Sequence, residues 1–250
     1  MTKNILIPTD GSEYSKTALE YGIYIAKRLD ARLTVLYGEE SLDERVRSNL
    51  NRVGERCGKA GLDFQLKKVR EVAGEVIVEE AKDADWVFLP QKEEQFHESR
   101  DGFLGSASEV VIGKSDRPVL VIPVSFQEIE SMGLAYDGSP SADNALKIAA
   151  ELSDKVRWPL SIIIITDNSD QAADLSIRIE DLLDPYEEID SDVVILSGKA
   201  EHEIIKFIKE SSVELMVMGA HGNRRFEELT LGSTTSYVMR KSTVPVLIVN

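Results

Sequence analysis

One order of residues runs through this chain twice, at a nearly constant separation of 127 positions. Asp10-Gly11-Ser12 returns as Asp137-Gly138-Ser139, Leu33 as Leu160 and Ile77 as Ile204. Gly105-Ser106 returns as Gly232-Ser233, Lys114-Ser115 as Lys241-Ser242, and Pro118-Val119-Leu120 as Pro245-Val246-Leu247. A register kept at both ends of so long a unit signals tandem duplication. It excludes a single doubly long domain and predicts two domains, residues 1–125 and 131–250, joined where charge interrupts the apolar pattern between Phe126 and Met132.

Within the first copy, short apolar runs alternate with segments of helical spacing. Residues 4–8, 33–37, 64–69, 86–89 and 119–124 read as strands, and 18–29, 42–57, 76–81 and 107–112 as helices. Gly133 to Tyr136 starts the same order again. Strictly alternating strands and helices predict an α/β fold, each domain an open twisted parallel sheet with helices on both faces.

The stretch MGAHGNRRFEELTLGSTT, from Met218 to Thr235, carries the functional signal. An apolar run broken only by Glu214 stops at Gly219, and Gly222 follows. Nine residues then intervene before Gly232, Ser233 and Thr234 open an amphipathic segment with Tyr237, Val238 and Met239. This reads as strand, glycine loop and helix start. Glycines let backbone N–H groups approach an anion, hydroxyls add donors, and the helix dipole favours negative charge. The stretch is therefore a candidate phosphate cradle, against the plainer reading of turn glycines and an N-cap.

The spacing G-x-x-G, nine residues, G-S resembles the nucleotide loop of the universal stress protein family, and the resemblance extends over essentially the whole chain. It implies a Rossmann-like strand order 3-2-1-4-5 and an ATP site at the carboxyl ends of strands 1 and 4 of the second domain. By position it implies that Ala135, Tyr136 and Asp137 lie near adenine and ribose, with Ile165 as an apolar wall. It also implies that Gly219, His221, Gly222, Gly232, Ser233, Thr234 and Thr235 line the phosphates. Arg224, and less so Arg225, could reach phosphate as charge-assisted donors. Asp137 has a second reading as a helix cap, since DGSPSADNAL is also a helix start, and the two are compatible. ATP is the expected ligand, with AMP and ADP as alternatives, and Mg²⁺ would arrive on the phosphates.

The first domain departs from this pattern. Counting back from Gly105 puts Lys92 and Gln95 at the two glycine positions, and counting forward from the strand puts Pro90 and Glu93 there. Neither recovers a glycine. Pro90 has no N–H, and Glu93, Glu94, Glu98 and Asp101 would repel phosphate, although Asp10, Gly105 and Ser106 remain. The first domain is expected to be a degenerate partner that binds no nucleotide.

Charge narrows the functional classes. The net charge of −15 argues against nucleic acid and against an anionic membrane surface. Up to Ser125, 18 Lys and Arg face 22 Asp and Glu; beyond it 11 face 22, so the acidic half is the one with the glycine loop and local amides must hold any anion. No run approaches membrane-spanning length, no secretory leader is present, and the lone Cys57 excludes a disulfide framework, which makes the cytoplasm the expected location. Cys57 continues a helical face with Leu42, Val46, Leu50 and Val53 and reads as a buried filler. His97, His202 and His221 are too scattered for a metal cluster.

Walker, GxSxG and kinase signatures are absent, and no catalytic residue is placed by motif. The expected function is a nucleotide-dependent stress-response or signalling module, at most a slow ATP hydrolase. The alternatives are a phosphate-transferring enzyme and a structural dimerisation module. The last strands, 119–124 and 246–249, would lie at sheet edges. The resemblance implies that they pair as an intramolecular pseudo-dimer, with a homodimer of chains as a further option.

Overall fold

The computed structural model describes residues 3–39, 42, 44–91, 106–186, 188–222 and 231–250. Two compact units divide the chain, Met1–Phe126 and Gln127–Asn250. The first runs β1 (Asn4–Thr9), α1 (Glu13–Leu29), β2 (Arg32–Gly38), α2 (Glu44–Ala60), β3 (Phe64–Val69), α3 (Gly74–Ala81), β4 (Trp86–Pro90), α4 (Ser106–Lys114) and β5 (Val119–Ile122). The second runs β6 (Met132–Tyr136), α5 (Pro140–Val156), β7 (Leu160–Ile165), α6 (Ser169–Leu183), β8 (Ser191–Leu196), α7 (Ala200–Glu210), β9 (Leu215–Gly219), α8 (Ser233–Lys241) and β10 (Val246–Val249).

Strand order is β3-β2-β1-β4-β5 in the first unit and β8-β7-β6-β9-β10 in the second, so both have the order 3-2-1-4-5. All described pairings are parallel. Buried strands of a parallel sheet need apolar residues on both faces. Accordingly β4 is buried throughout and β1, β6 and β9 nearly so, whereas the end strands β3 and β8 are largely exposed. Helices cover both faces of each sheet, α1 packing with α2 and α3 with α4, then α5 with α6 and α7 with α8.

The repeat reaches the local geometry. Gly11 and Gly138 both hold positive φ, 78° and 74°, in the turn after the first strand of each unit. The residue that follows, Ser12 or Ser139, then caps the next helix by accepting an N–H three residues on. Helix α1 therefore starts at Glu13, earlier than the apolar spacing from Ala18 indicates. Asp30 and Arg157, 127 positions apart, close these helices in the left-handed region at φ 52° and 60°.

Helix α2 starts at Glu44, so Leu42 falls outside it and donates its N–H to the Glu39 carbonyl. Val46, Leu50, Val53 and Cys57 are buried as the helical face requires. Burial pushes the Cys57 thiol up to about 11, against a small opposing pull from Arg56. Phe126 packs on Tyr21 and Tyr24 of α1, ring centroids 4.8 and 5.5 Å away. Glu214, the charge within the apolar run, accepts the N–H groups of Glu130 and Ser131 at 3.0 and 2.9 Å and so ties the approach to β9 to that of β6. Among the described residues no helix is long and apolar enough to cross a membrane.

Candidate nucleotide site

From β6 the chain moves outward through β7 and β8, then returns by α7 to β9 on the other side of β6. The carboxyl ends of β6 and β9 therefore flank the switch point, where open α/β sheets form a crevice. Ala135 pairs with Met218, and Tyr136 with Ile164. Continued by one residue, these registers bring Asp137 beside Ile165 and Tyr136 beside Gly219. Ala135 and Ile165 are half-buried at this rim, and Asp137 is exposed.

Beyond β9 hydrogen bonds fasten the described ends of the loop to β9, β10 and α8. The Ala220 N–H donates to the Val249 carbonyl at 2.8 Å, the Gly232 N–H to the Ala220 carbonyl at 2.9 Å, and the Thr235 hydroxyl to the Gly219 carbonyl at 2.9 Å. The start of α8 is thereby held against the end of β9, and the two ends of the glycine loop meet. A Cβ on Gly232 would stand 3.8 Å from the Gly222 nitrogen, and one on Gly222 would stand 3.0 Å from Asp137 Oδ2. Gly232, the N-cap of α8, brings no side-chain hydrogen bond to that turn. Amides at an uncapped helix start are unsatisfied within the helix and suit an anion. The exposed Ser233 and half-buried Thr234 stand at this end.

The same geometry assigns some groups elsewhere. Asp137 Oδ1 accepts the Ser139 N–H at 3.0 Å, which realises the capping reading, and Oδ2 lies on the side of Gly222. Tyr136 is buried, and its hydroxyl donates to Asp143 Oδ1 of α5 at 2.6 Å. Burial first and that hydrogen bond second raise its ionisation well above the usual phenol range. Arg178 of α6 grips both oxygens of Asp143. The Thr235 hydroxyl is committed to Gly219. His221 donates its N–H to Ser141 Oγ at 3.3 Å, and its carbonyl accepts the hydroxyls of Ser139, at 3.1 Å, and Ser141.

Gly219 has a packing reason as well: its Cβ would meet Ser141 Oγ at 2.5 Å and the α5 backbone at 2.9 Å. Sequence reasoning missed the Ser139–Ser141 clamp on His221 and the Tyr136–Asp143–Arg178 chain. The serine-rich helix start was a signal for the first; spacing carries none for the second. Arg224 and Arg225 lie outside the described residues, as do Lys92, Glu93, Glu94, Gln95, His97, Glu98, Asp101 and Gly105 of the first unit.

In the first unit, the Gln91 N–H donates to the Ile122 carbonyl at 2.7 Å, as Ala220 does to Val249. Pro90 therefore stands where the second unit has Gly219, which selects the count forward from the strand.

Fold and site define a tandem doubly wound α/β protein whose second unit carries a glycine loop at its switch point. The chain belongs to the Universal stress protein family, whose profile matches residues 1–56 and 128–250. It is 27% identical to universal stress protein Slr1230 of Synechocystis over 98% of this chain and 99% of that one. The crystal structure of a universal stress protein from Archaeoglobus fulgidus superposes with a TM-score of 0.79 at 26% identity, covering 99% of this chain and 96% of that one. Universal stress protein MJ0577 of Methanocaldococcus jannaschii is 39% identical over 56 residues, 22% of this chain and 35% of that protein.

Proposed function

We propose that the chain is an ATP-binding universal stress protein of the cytoplasm, with one nucleotide held between β6 and β9 of the second unit. The observation that carries this reading is the meeting of Gly222 with the uncapped start of α8 beside Asp137. Phosphate oxygens would accept from the Gly222 amide and from the amides and hydroxyls of Ser233 and Thr234. Asp137 Oδ2 is the acceptor for a ribose hydroxyl, and Ala135 and Ile165 are the apolar edge for adenine. A side chain at Gly222 would fill the cradle, which fits a site built for close backbone approach. Mg²⁺ would come with the phosphates, since it retains waters and takes few protein ligands. The reading is of a binding module whose nucleotide state changes its partners.

Purified protein is heat-denatured and the supernatant resolved for adenine nucleotides; a separate folded sample, stripped of nucleotide, is titrated calorimetrically with ATP, ADP and AMP. Released nucleotide and a saturable isotherm support the reading. No nucleotide and no heat of binding for any of the three end it.

A further inference from the structure

The end strands of the two units differ in a way the nucleotide reading does not use. The carbonyls of Asp190 and Leu196 accept from Leu160 and Thr166 at 2.8 and 2.9 Å. A strand residue directs its N–H and C=O to the same side, so even-numbered residues of β8 face β7, and Ser191, Val193 and Ile195 direct theirs outward. In β3 the carbonyls of Asp63 and Val69 accept from Leu33 and Glu39 at 2.9 and 2.8 Å, which turns Phe64, Leu66 and Lys68 outward.

Charged side chains, lysine above all, blunt a strand edge. β3 carries Lys67, paired with Glu80, and Lys68, paired with Glu39 at 2.8 Å. At the corresponding positions β8 carries Val194 and Ile195. Val193 is 40% exposed and Ile195 53%, both on the face that the pairing with Ile162 and Ile164 shares with Tyr136 and α5. On the other face Val194 and Leu196 wall a recess of about 280 Å³ with Phe207 of α7, rimmed by Glu203, Lys206 and Glu210. From Val193 to Leu196 the edge is thus apolar on both faces, and Asp192 is the one charged residue of the strand.

Charge selects the occupant. From residue 167 to 192, ten Asp and Glu stand against Arg178 alone, which Asp143 already holds. A second copy would bring the same acidic set to a chain of net charge −15. A cationic chain removes that repulsion, and an apolar recess whose rim sets the carboxylates of Glu203 and Glu210 against the single Lys206 suits the long stem and charged head of lysine or arginine.

We propose that β8 is a docking edge for an extended cationic segment of a partner protein, which adds a strand beside Val193 and Ile195. Backbone hydrogen bonds supply affinity, and alternate side chains enter the recess and cover the exposed face. The probe is a capped, fluorescently labelled peptide alternating valine with lysine and arginine, titrated against the full chain by anisotropy. Saturable binding is expected, weakened about tenfold by Ile195→Lys, which restores the residue of the blunted edge. Val193→Lys is the second variant, and unchanged melting keeps both interpretable. Amide exchange should slow at residues 191, 193 and 195 on peptide addition. The proposal is overturned by absence of binding, by undiminished binding to both variants, or by equal binding of a peptide N-methylated on alternate amides. Protection of β8 by rising protein concentration without peptide overturns it in favour of a second copy.

Discussion

The turn after β1 and the turn after β6 start from the same residues and end in different uses. In the first unit the polar groups satisfy one another: Thr9 Oγ1 donates to Ser15 Oγ at 2.9 Å and accepts the Gly11 N–H at 3.1 Å. Asn49 of α2 closes the Gly11 carbonyl at 2.8 Å. In the second unit Tyr136 replaces Thr9 and turns to Asp143, while Ser139 and Ser141 reach across to the His221 carbonyl. Among the described residues the first turn bonds within itself and to α2, whereas the second holds His221, 82 residues from Ser139 in sequence. Duplication preserved the frame, and the side chains at the switch point differ between the copies, Thr9 in one and Tyr136 in the other. The family profile follows the same division, running unbroken through residues 128–250 and stopping at residue 56 in the first copy.

The strongest test of this asymmetry is Gly222→Glu. The new Cβ would stand 3.0 Å from Asp137 Oδ2, and a carboxylate would enter a site proposed for phosphate. Affinity for ATP should fall by more than about 100-fold, near 3 kcal/mol, from steric blocking and like-charge repulsion. Calorimetry on the folded variant measures it, and unchanged affinity removes the cradle. The unmodified chain should bind a single ATP; a stoichiometry of two breaks the asymmetry itself.

Gly219→Val tests the frame beneath the site. Its Cβ would meet α5 at 2.5 Å, where backbone as well as Ser141 Oγ must yield, so overpacking should cost about 1–3 kcal/mol. Pro90→Val, at the equivalent position of the first unit, is the control and should shift the urea midpoint less. Equal losses would mean that the two strand ends are packed alike.

The repeat and the alternation of strands and helices were legible because buried strands, the Asp-Gly-Ser turn and the helix caps are written in neighbouring residues; the 3-2-1-4-5 order came from the family resemblance, since strand order joins segments far apart in sequence. The glycine loop was legible by spacing, although spacing did not reveal that α5 rests on Gly219. Arg178 joining Asp143 was not legible: the two are 35 residues apart on different helices, and only the packing of α5 against α6 brings them together. The early start assigned to α2 failed because Leu42 continues the apolar spacing of the helix while its backbone is still in the preceding turn. Periodicity reports which side chains are buried, not where hydrogen bonding begins.

Cys57 offers a reporter confined to the first unit. Its thiol is raised from 9.0 to about 11, so the unfolded chain releases this proton at lower pH than the folded one. Its contribution to stability is full below about pH 9 and is lost as pH rises through about 11, at most about 2–3 kcal/mol. The difference in urea stability between the unmodified chain and Cys57→Ala, followed from pH 8 to 11, isolates it from other titrations. The difference should shrink as pH climbs. A difference that stays level would show that the thiol ionises alike in both states.

The smallest expected effect separates capping from ligand binding. Asp10 Oδ1 accepts the Ser12 N–H at 2.9 Å and Asp137 Oδ1 the Ser139 N–H at 3.0 Å, so each carboxylate supports the same turn in its own unit. Asp10→Ala and Asp137→Ala should each cost about 1 kcal/mol of stability, because each leaves one N–H of the turn without its acceptor. Only Asp137→Ala should also weaken ATP binding, by about tenfold, since Oδ2 of that residue stands 3.0 Å from the position of a Cβ on Gly222, beside the proposed cradle. Equal stability losses with unchanged affinity in both variants would reduce Asp137 to the turn residue that Asp10 is, and the ribose would then need another acceptor.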